Sequence, residues 1–201
     1  MVSPVKFIYF DVGEVLVKGI SSKSLADSLG VDYKVFKKVY NKYSQDLYKG
    51  RITDEELVDI FKKEIPGVQI ASADSFWTNW LKSLSAIGET HDLIYQLATN
   101  YKIGILTNSH KGLLEQIKKR NLIPNIEFAS IVESAEVGWA KPEKEIYLLA
   151  QKRSGFLPEN IFFIDNQKEN ISAAKKLGWQ GFIFDQENKK KSTEELRKIL
   201  L

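Results

Sequence analysis

The sequence predicts an α/β fold in which a parallel sheet is covered by helices and a helical segment is inserted after the first strand. From Lys102 onward, strand-like and helix-like stretches alternate, which is the pattern of parallel strands joined by crossover helices. A further strand-like stretch, VKFIYF, lies near the N-terminus. Residues 17–86 separate it from the others and have helical patterning throughout.

The insertion contains three well-marked helices. Apolar residues recur at helical spacing through Tyr33–Tyr48 and again through Phe76–Leu84. Between them, Thr53 and Glu56 have the spacing of a capping box at the start of a helix. We therefore place the helical insertion at 17–86 and the core in 1–16 and 87–201.

The second half of the chain supplies the other elements of the core in order. KIGILTN is a strand, and Ser109 is expected to cap the helix that follows it. FASIVES is the next strand, a helix follows Pro142, and the continuous apolar run NIFFID is typical of a strand buried on both faces. Gly178 is expected to end the next helix in a left-handed cap. WQGFIFD is the last strand, and Ser192 with Glu195 has capping-box spacing for a final helix.

Composition excludes several functional classes. Of the 201 residues, 43% are hydrophobic and 27% are charged, which is ordinary for a globular protein. No apolar run approaches the roughly 20 residues that a membrane-spanning helix needs. There is no cysteine, so a disulfide or a thiolate metal site is excluded.

Charge and the N-terminal sequence indicate which partners and which cellular location to expect. The net charge of +3 is slight and its residues are dispersed, so we expect neither a nucleic-acid nor a membrane partner. We expect Lys189–Lys191, the densest basic run, to be a solvated loop. The N-terminus lacks the features of a secretory signal, so we expect a cytoplasmic protein, whose oligomeric state the sequence leaves open.

Four apolar stretches each end at a polar residue suited to holding a phosphate. Phe7–Phe10 ends at Asp11 and Ile103–Leu106 ends at Thr107, while Lys141 and Asp165 follow Val137–Ala140 and Ile161–Ile164. Ligands bind beyond the carboxyl ends of the strands in an open parallel sheet. We therefore expect the four side chains to gather in one pocket. Each residue taken alone could be an ordinary turn or loop residue.

The four residue types match the needs of phosphoryl transfer. A carboxylate can attack phosphorus and form an aspartyl phosphate, and we assign that role to Asp11. Two anions that approach each other need positive charge, which Mg²⁺ held by Asp11, Asp165, a backbone carbonyl and water can supply. Lys141 is expected to hold Asp11 and the phosphoryl oxygens, and Thr107 to donate its hydroxyl.

These segments resemble the haloacid dehalogenase superfamily, whose four ordered motifs are matched by FIYFDVGEV, ILTNS, AKPEKEIY and FFIDNQKEN. The spacing VGWAKPEKEIY and the segment YKGRITDEEL are similar to the branch that contains sugar-phosphate phosphatases and the phosphatase domain of soluble epoxide hydrolase. The resemblance implies a Rossmann-like three-layer core, a helical cap, Mg²⁺ dependence and hydrolysis of a small phosphorylated metabolite.

The resemblance also suggests which residues hold the metal and the substrate. It implies Asp11, the Gly13 carbonyl and Asp165 as metal ligands. Asn108 and Gly13 are candidates for holding phosphate, and His110 follows ILTNS closely enough to reach the rim of the pocket. The aromatic residues of the insertion lie at spacings that helix packing alone would produce.

Two residues depart from the superfamily pattern. Gly13 stands where phosphatases of this type usually have the aspartate that moves protons, and Asn166 stands where a second acidic residue is frequent. Without that general acid we expect acyl, aryl or anomeric sugar phosphates to be better substrates than simple alkyl phosphates. Two alternatives stay open. One is a metal-independent 2-haloacid dehalogenase that uses Asp11, and the other is a catalytically idle protein that binds a phosphorylated ligand.

Overall fold

The computed structural model describes residues 4–201, and five parallel strands form its central sheet in the order β5-β4-β1-β6-β7. These five strands are β1 Phe7–Phe10, β4 Lys102–Thr107, β5 Ser130–Glu133, β6 Ile161–Asp165 and β7 Gln180–Ile183. Two short strands, β2 Val17–Lys18 and β3 Ser85–Ala86, form a separate sheet. Ile105 of β4 and Ile164 of β6 both pair with Phe10 of β1. The chain runs outward in one direction through β4 and β5 and in the other through β6 and β7, so the switch point lies beside β1.

Ten α-helices lie along the described part of the chain. They are α1 Ser22–Leu29, α2 Tyr33–Tyr48, α3 Asp54–Glu64, α4 Ala73–Lys82, α5 Gly88–Leu97, α6 Leu113–Lys119, α7 Ser134–Val137, α8 Lys144–Ser154, α9 Lys168–Lys176 and α10 Lys189–Leu200. A single 3-10 turn, Pro158–Asn160, precedes β6. No helix within 4–201 is both long enough and apolar enough to cross a bilayer.

The central strands β1 and β6 are buried on both faces, as their continuous apolar runs predict. Phe7 and Tyr9 of β1 pack in one hydrophobic cluster with Ile146 and Tyr147 of α8. Ile8 and Phe10 belong to a second cluster on the opposite face, because alternate side chains of a strand point to opposite sides. The expected α/β fold with a Rossmann-like three-layer core is confirmed.

The helical segment between β1 and β4 begins and ends at a short antiparallel ribbon. β2 pairs with β3 through Val17 and Ala86 and through Lys18 and Ser85, and α1 to α4 lie between these strands in the sequence. The expected capping box is confirmed, because the Thr53 hydroxyl accepts from the Glu56 N–H and the Glu56 carboxylate accepts from the Thr53 N–H. The helices of this segment share one hydrophobic cluster with the adjoining face of the sheet.

Two predicted caps and one predicted loop are wrong. Gly112 occupies the N-cap position of α6, whereas the Ser109 hydroxyl donates to Glu133. Helix α10 begins at Lys189, so the basic run 189–191 is its first turn and not a loop, and the Ser192 hydroxyl accepts from the backbone N–H of Asp185. Serine hydroxyls serve several kinds of turn equally well, so spacing alone did not locate these helix starts. The left-handed conformation of Gly178 after α9 is confirmed.

Candidate active site

A buried lysine joins two aspartates at the switch point of the sheet. Lys141 Nζ lies 2.9 Å from Asp11 Oδ1 and 2.7 Å from Asp165 Oδ2. Asp11 directly follows β1 and Asp165 ends β6, and the two strands are neighbours. The Asp11 N–H also donates to the Ile164 carbonyl at 2.9 Å. Carboxyl groups from opposite ends of the chain therefore lie close enough to share one cation.

The second aspartate is held by several donors in addition to the lysine. Asp165 is completely buried. Its Oδ2 accepts from Asn170 Nδ2 at 2.9 Å, and its Oδ1 accepts from the Gln167 N–H at 2.7 Å. Asn170 is not among the residues predicted to form the site, although its place in the first turns of α9 directs such a side chain back toward the end of β6. Asp165 is therefore fixed in position and shielded from solvent.

The lysine is held as firmly as the carboxylates. Its Nζ also donates to the Leu106 carbonyl at 3.0 Å, so oxygen partners surround its three N–H donors. The side-chain amide of Asn108 donates to the Lys141 carbonyl at 2.9 Å and accepts from the Lys141 N–H at 2.8 Å. Asn108, expected to hold phosphate, thus positions the lysine through its backbone.

Asp11 presents one engaged oxygen and one free oxygen. Oδ1 accepts from the Val12 N–H at 2.8 Å and lies against Lys141, whereas Oδ2 accepts no hydrogen bond from the described residues. Burial raises the pKa of Asp11 to about 6, and the charge of Asp165 adds to that rise, while Lys141 and the Val12 N–H oppose it. Burial alone would lower the pKa of Lys141, but the two carboxylates outweigh it and leave this pKa raised. The lysine is therefore a permanent positive charge beside Asp11.

The Asp11 carboxylate lies at one wall of a cleft of about 410 Å³. The cleft is lined by Asp11, Lys141, Gly13, Glu14, Asn108, Asn166, Gln167, Glu169, Asn170, Gln186, Gln45, Ser21, Ser22, Ile20, Tyr40 and Tyr48. The two tyrosines are joined hydroxyl to hydroxyl at 2.7 Å, and burial raises the pKa of both. The cleft thus has polar groups on the sheet side and phenol groups on the side of the helical insertion.

Gly13 lies in the loop after β1, and another side chain fills the space above it. A Cβ at this position would meet Ile20 Cγ2 at 3.3 Å and the Ile20 carbonyl oxygen at 3.4 Å. Glu14, the next residue, has a positive φ of 58°, and its carboxylate accepts from the Gly19 N–H at 2.7 Å. The loop therefore holds one carboxylate oxygen of Glu14, which also lines the cleft.

Thr107 is the last residue of β4, the strand that pairs with β1. It is buried at the end of β4, and it lines a separate gap of about 10 Å³ with Val12 and Ile20. The structure therefore brings Asp11, Lys141 and Asp165 into contact, and the role of Thr107 stays a prediction.

His110 lies where the helical insertion meets the core. Its ring is buried, and Nδ1 lies 2.8 Å and 3.0 Å from the two carboxylate oxygens of Asp54 on α3. The ring also stacks on Trp77 of α4, with centroids 4.3 Å apart. No pattern near His110 indicates this pairing, because Asp54 and Trp77 are 56 and 33 residues away and are positioned only by the tertiary fold.

The oxygen-rich wall of the cleft fits a magnesium ion. Within residues 4–201, no three His, Asp or Glu side chains cluster as a metal site. Mg²⁺ is nevertheless commonly held by one or two carboxylates together with water and substrate oxygens. Asp11 Oδ2 has no protein donor, and the Gly13 carbonyl accepts none of the backbone hydrogen bonds of its loop. Asp165 Oδ1, with one donor, keeps a lone pair, but Asp165 itself is buried behind the residues that line the cleft.

Comparisons with known proteins indicate the family to which the chain belongs. The family model of haloacid dehalogenase-like hydrolases matches residues 5–178. D-ribitol-5-phosphate phosphatase from Bacteroides thetaiotaomicron is 23% identical over 210 residues, which covers 98% of each chain. A HAD family enzyme from the same organism, solved with magnesium and inorganic phosphate, superposes with a TM-score of 0.72 at 22% identity, covering 90% of this chain and 95% of that one.

A dehalogenase is also similar over part of the chain. (S)-2-haloacid dehalogenase from Pseudomonas putida is 31% identical over 97 residues, which is 48% of this chain and 42% of the dehalogenase. The chain thus matches less than half of the length of that relative. Because the family model covers most of the sequence and the sheet carries the lysine and both aspartates at its switch point, the protein belongs to the haloacid dehalogenase-like hydrolases.

Proposed function

We propose that this hydrolase is a Mg²⁺-dependent phosphatase that acts on a small phosphorylated metabolite through an aspartyl phosphate on Asp11. The observation that carries the proposal is the asymmetry of the Asp11 carboxylate. One oxygen is fixed by Lys141 and a backbone N–H, while the other has no internal partner and belongs to a residue that lines a polar cleft of about 410 Å³. This is the arrangement that a carboxylate nucleophile needs.

In the first step Asp11 Oδ2 attacks phosphorus. The bond between phosphorus and the leaving-group oxygen breaks, and that oxygen keeps the electron pair. Lys141 holds Asp11 in place and offsets its charge, which reduces repulsion between the carboxylate and the phosphate. Bound Mg²⁺, held by Asp11, the Gly13 carbonyl and Asp165, would supply further charge compensation for the phosphoryl oxygens.

In the second step water attacks the phosphorus of the aspartyl phosphate and the bond to Asp11 Oδ2 breaks, releasing inorganic phosphate and the free carboxylate. Gly13 provides no side chain to protonate the leaving group in the first step or to take a proton from water in the second. Substrates whose leaving groups depart easily without protonation, such as acyl, aryl or anomeric sugar phosphates, are therefore favoured over simple alkyl phosphates.

The comparisons support phosphate monoesters as the substrate class. One full-length similarity is to D-ribitol-5-phosphate phosphatase, and a structural relative was solved with magnesium and inorganic phosphate. The acidic and amide residues of the cleft also suit a site that binds a metal ion together with an anion.

The deciding experiment is a phosphate-release screen with small phosphorylated metabolites, with Mg²⁺ and with a chelator. We expect release that requires Mg²⁺ and that Asp11→Asn abolishes. A series of esters graded by the acidity of the leaving group should give a steep rate profile, and a flat profile contradicts the role assigned to Gly13. Tight binding of one metabolite without any turnover would instead identify a phosphate-binding protein.

One observation favours dehalogenation as a second candidate. Asp165 is completely buried and does not line the cleft, since Lys141 and Asn170 lie against it. In that reaction Asp11 Oδ2 would attack C2 of a 2-haloacid, halide would leave with the bonding electrons, and water would hydrolyse the ester. Halide release that persists in the chelator, without phosphate release from any ester, would establish this alternative.

A further inference from the structure

Two buried polar nitrogens at the junction of the helical insertion and the core have no partner. Within the described residues, Trp77 Nε1 and His110 Nε2 are the buried side-chain N or O atoms that make no hydrogen bond. Their side chains are almost fully buried, with exposed fractions of 5% for Trp77 and 4% for His110. Buried polar groups without partners are costly and uncommon in folded proteins. Such a pair therefore indicates a site that is completed by something outside the chain.

The two side chains line a cavity that adjoins the catalytic cleft. The cavity has a volume of about 40 Å³, more than the ~10–15 Å³ that one water molecule requires. Tyr48 and Asn108 are among the residues that line both the cavity and the cleft beside Asp11. The rest of the cavity wall is largely apolar, with Leu25, Leu47, Leu113 and Trp80. A group bound here would extend from a molecule already held in the cleft.

The chemistry of the two nitrogens specifies the group. An indole N–H can only donate. The carboxylate of Asp54 flanks His110 Nδ1 with both oxygens, at 2.8 Å and 3.0 Å, which places the hydrogen of a neutral imidazole on Nδ1 and leaves Nε2 as an acceptor. A hydroxyl both accepts and donates, so it suits a site that offers an indole N–H and an imidazole lone pair.

We propose that Trp77 and His110 form a hydroxyl-binding subsite that selects a polyhydroxylated leaving group, of the sugar or polyol type, and that Asp54 fixes the imidazole tautomer. This inference rests on the phosphatase reaction proposed above and adds the part of the substrate that is not phosphate. A site built to hydrogen-bond a substrate hydroxyl discriminates strongly against the analogue that lacks it, because its buried groups are then left unpaired.

The test compares phosphate esters that differ only in hydroxyl groups. Polyol and sugar phosphates of three to six carbons are each paired with the unsubstituted alkyl phosphate of the same length, and kcat/KM is measured with Mg²⁺ for each pair. Two variants remove one nitrogen each. Trp77→Phe keeps a stacking ring without the N–H, and His110→Asn keeps a donor for Asp54 without Nε2. The exposed Trp139→Phe is the matched control.

We expect the native protein and the control to prefer the hydroxylated partner of at least one pair, and each cavity variant to lose roughly tenfold of that preference. Calorimetric binding of the same esters to the Asp11→Asn protein, with and without each cavity substitution, measures selection independently of turnover. If no ester is hydrolysed but the binding preference follows the two nitrogens, the phosphatase proposal fails while the subsite stands.

Three results would overturn the subsite. The first is an equal preference in native protein and both variants, which would mean that an ordered water alone completes the nitrogens. The second is the absence of any preference for hydroxylated esters in both kcat/KM and binding. The third is selection of phosphorylated carboxylic acids over the hydroxylated esters, which would assign a charged imidazolium donor to His110 instead of an acceptor.

Discussion

Restoring a carboxylate at position 13 is the sharpest test of the proposed chemistry. In the variant Gly13→Asp, the new Cβ would lie 3.3 Å from Ile20 Cγ2 and 3.4 Å from the Ile20 carbonyl oxygen. The backbone is not in the left-handed region at Gly13, so crowding against Ile20 is the main steric cost. Overpacking of this kind typically costs about 1–3 kcal/mol. For a chain of this length that corresponds to a fall in Tm of about 2–4 °C for each kcal/mol.

The gain in rate should depend on the leaving group. General acid catalysis is typically worth ~10²–10⁴-fold, and part of that range should be realised if Ile20 yields by a few tenths of an ångström. We expect kcat/KM for alkyl phosphates to rise at least about tenfold, with little change for aryl phosphates, whose leaving groups depart without protonation. The profile of rate against leaving-group acidity should become flatter.

The matched control is Gly13→Asn, which imposes the same crowding but provides no acidic proton. The assay is phosphate release from the graded ester series with Mg²⁺, together with thermal unfolding of all three proteins. If the aspartate and asparagine variants give the same profile while both remain folded, the absence of a general acid does not limit this enzyme, and the proposed leaving-group preference is wrong.

Three further perturbations follow from the geometry of the site and its surroundings. Because burial raises the pKa of metal-free Asp11 to about 6 and Mg²⁺ binds the carboxylate form, the Mg²⁺ concentration needed for half-maximal binding should rise as pH drops below about 6. Calorimetric Mg²⁺ titrations that do not change with pH would contradict this. Asn108→Ala removes two hydrogen bonds to the Lys141 backbone and should lower kcat/KM about tenfold or more in steady-state kinetics. Because the buried Lys141 N–H and carbonyl lose their partners, thermal unfolding should also show a fall in Tm of several degrees. Gly50→Ala should destabilise the protein by more than Gly30→Ala. Both glycines have a φ of 64°, but only at Gly50 would the new Cβ meet a carbonyl oxygen, that of Ala135 at 2.6 Å. Equal values of Tm for the two variants would contradict this prediction.

The parts of this molecule that depend on local patterns could be predicted from the sequence. The bounds of α2 and the capping box at Thr53 follow from residues within one or two turns of each other. The approach of Asp11 to Asp165 also follows from a simple rule, because parallel strands bring their carboxyl ends to the same edge. Lys141 instead lies in the loop between α7 and α8.

The parts that depend on distant packing could not be predicted. The spacing of Ser192 and Glu195 fits a capping box, but helix α10 begins at Lys189, three residues before Ser192. The Ser192 hydroxyl instead accepts a hydrogen bond from the backbone N–H of Asp185 in the preceding loop. Nothing in the sequence near Gly13 indicates that Ile20 fills the space above it. The contact of His110 with Trp77 likewise requires the insertion to lie on the core. Polar residues have many possible partners, and only the complete fold selects among them.

The ribbon of β2 and β3 has a practical consequence for engineering. Because Val17 is paired with Ala86, the backbone leaves the core and returns to it at adjacent points. A foreign helical segment could therefore be spliced in at this one seam without altering the connectivity of the sheet. Retaining Lys141 and the two aspartates while exchanging everything between the seam residues would give chimaeras whose differences in selectivity report on the grafted part alone.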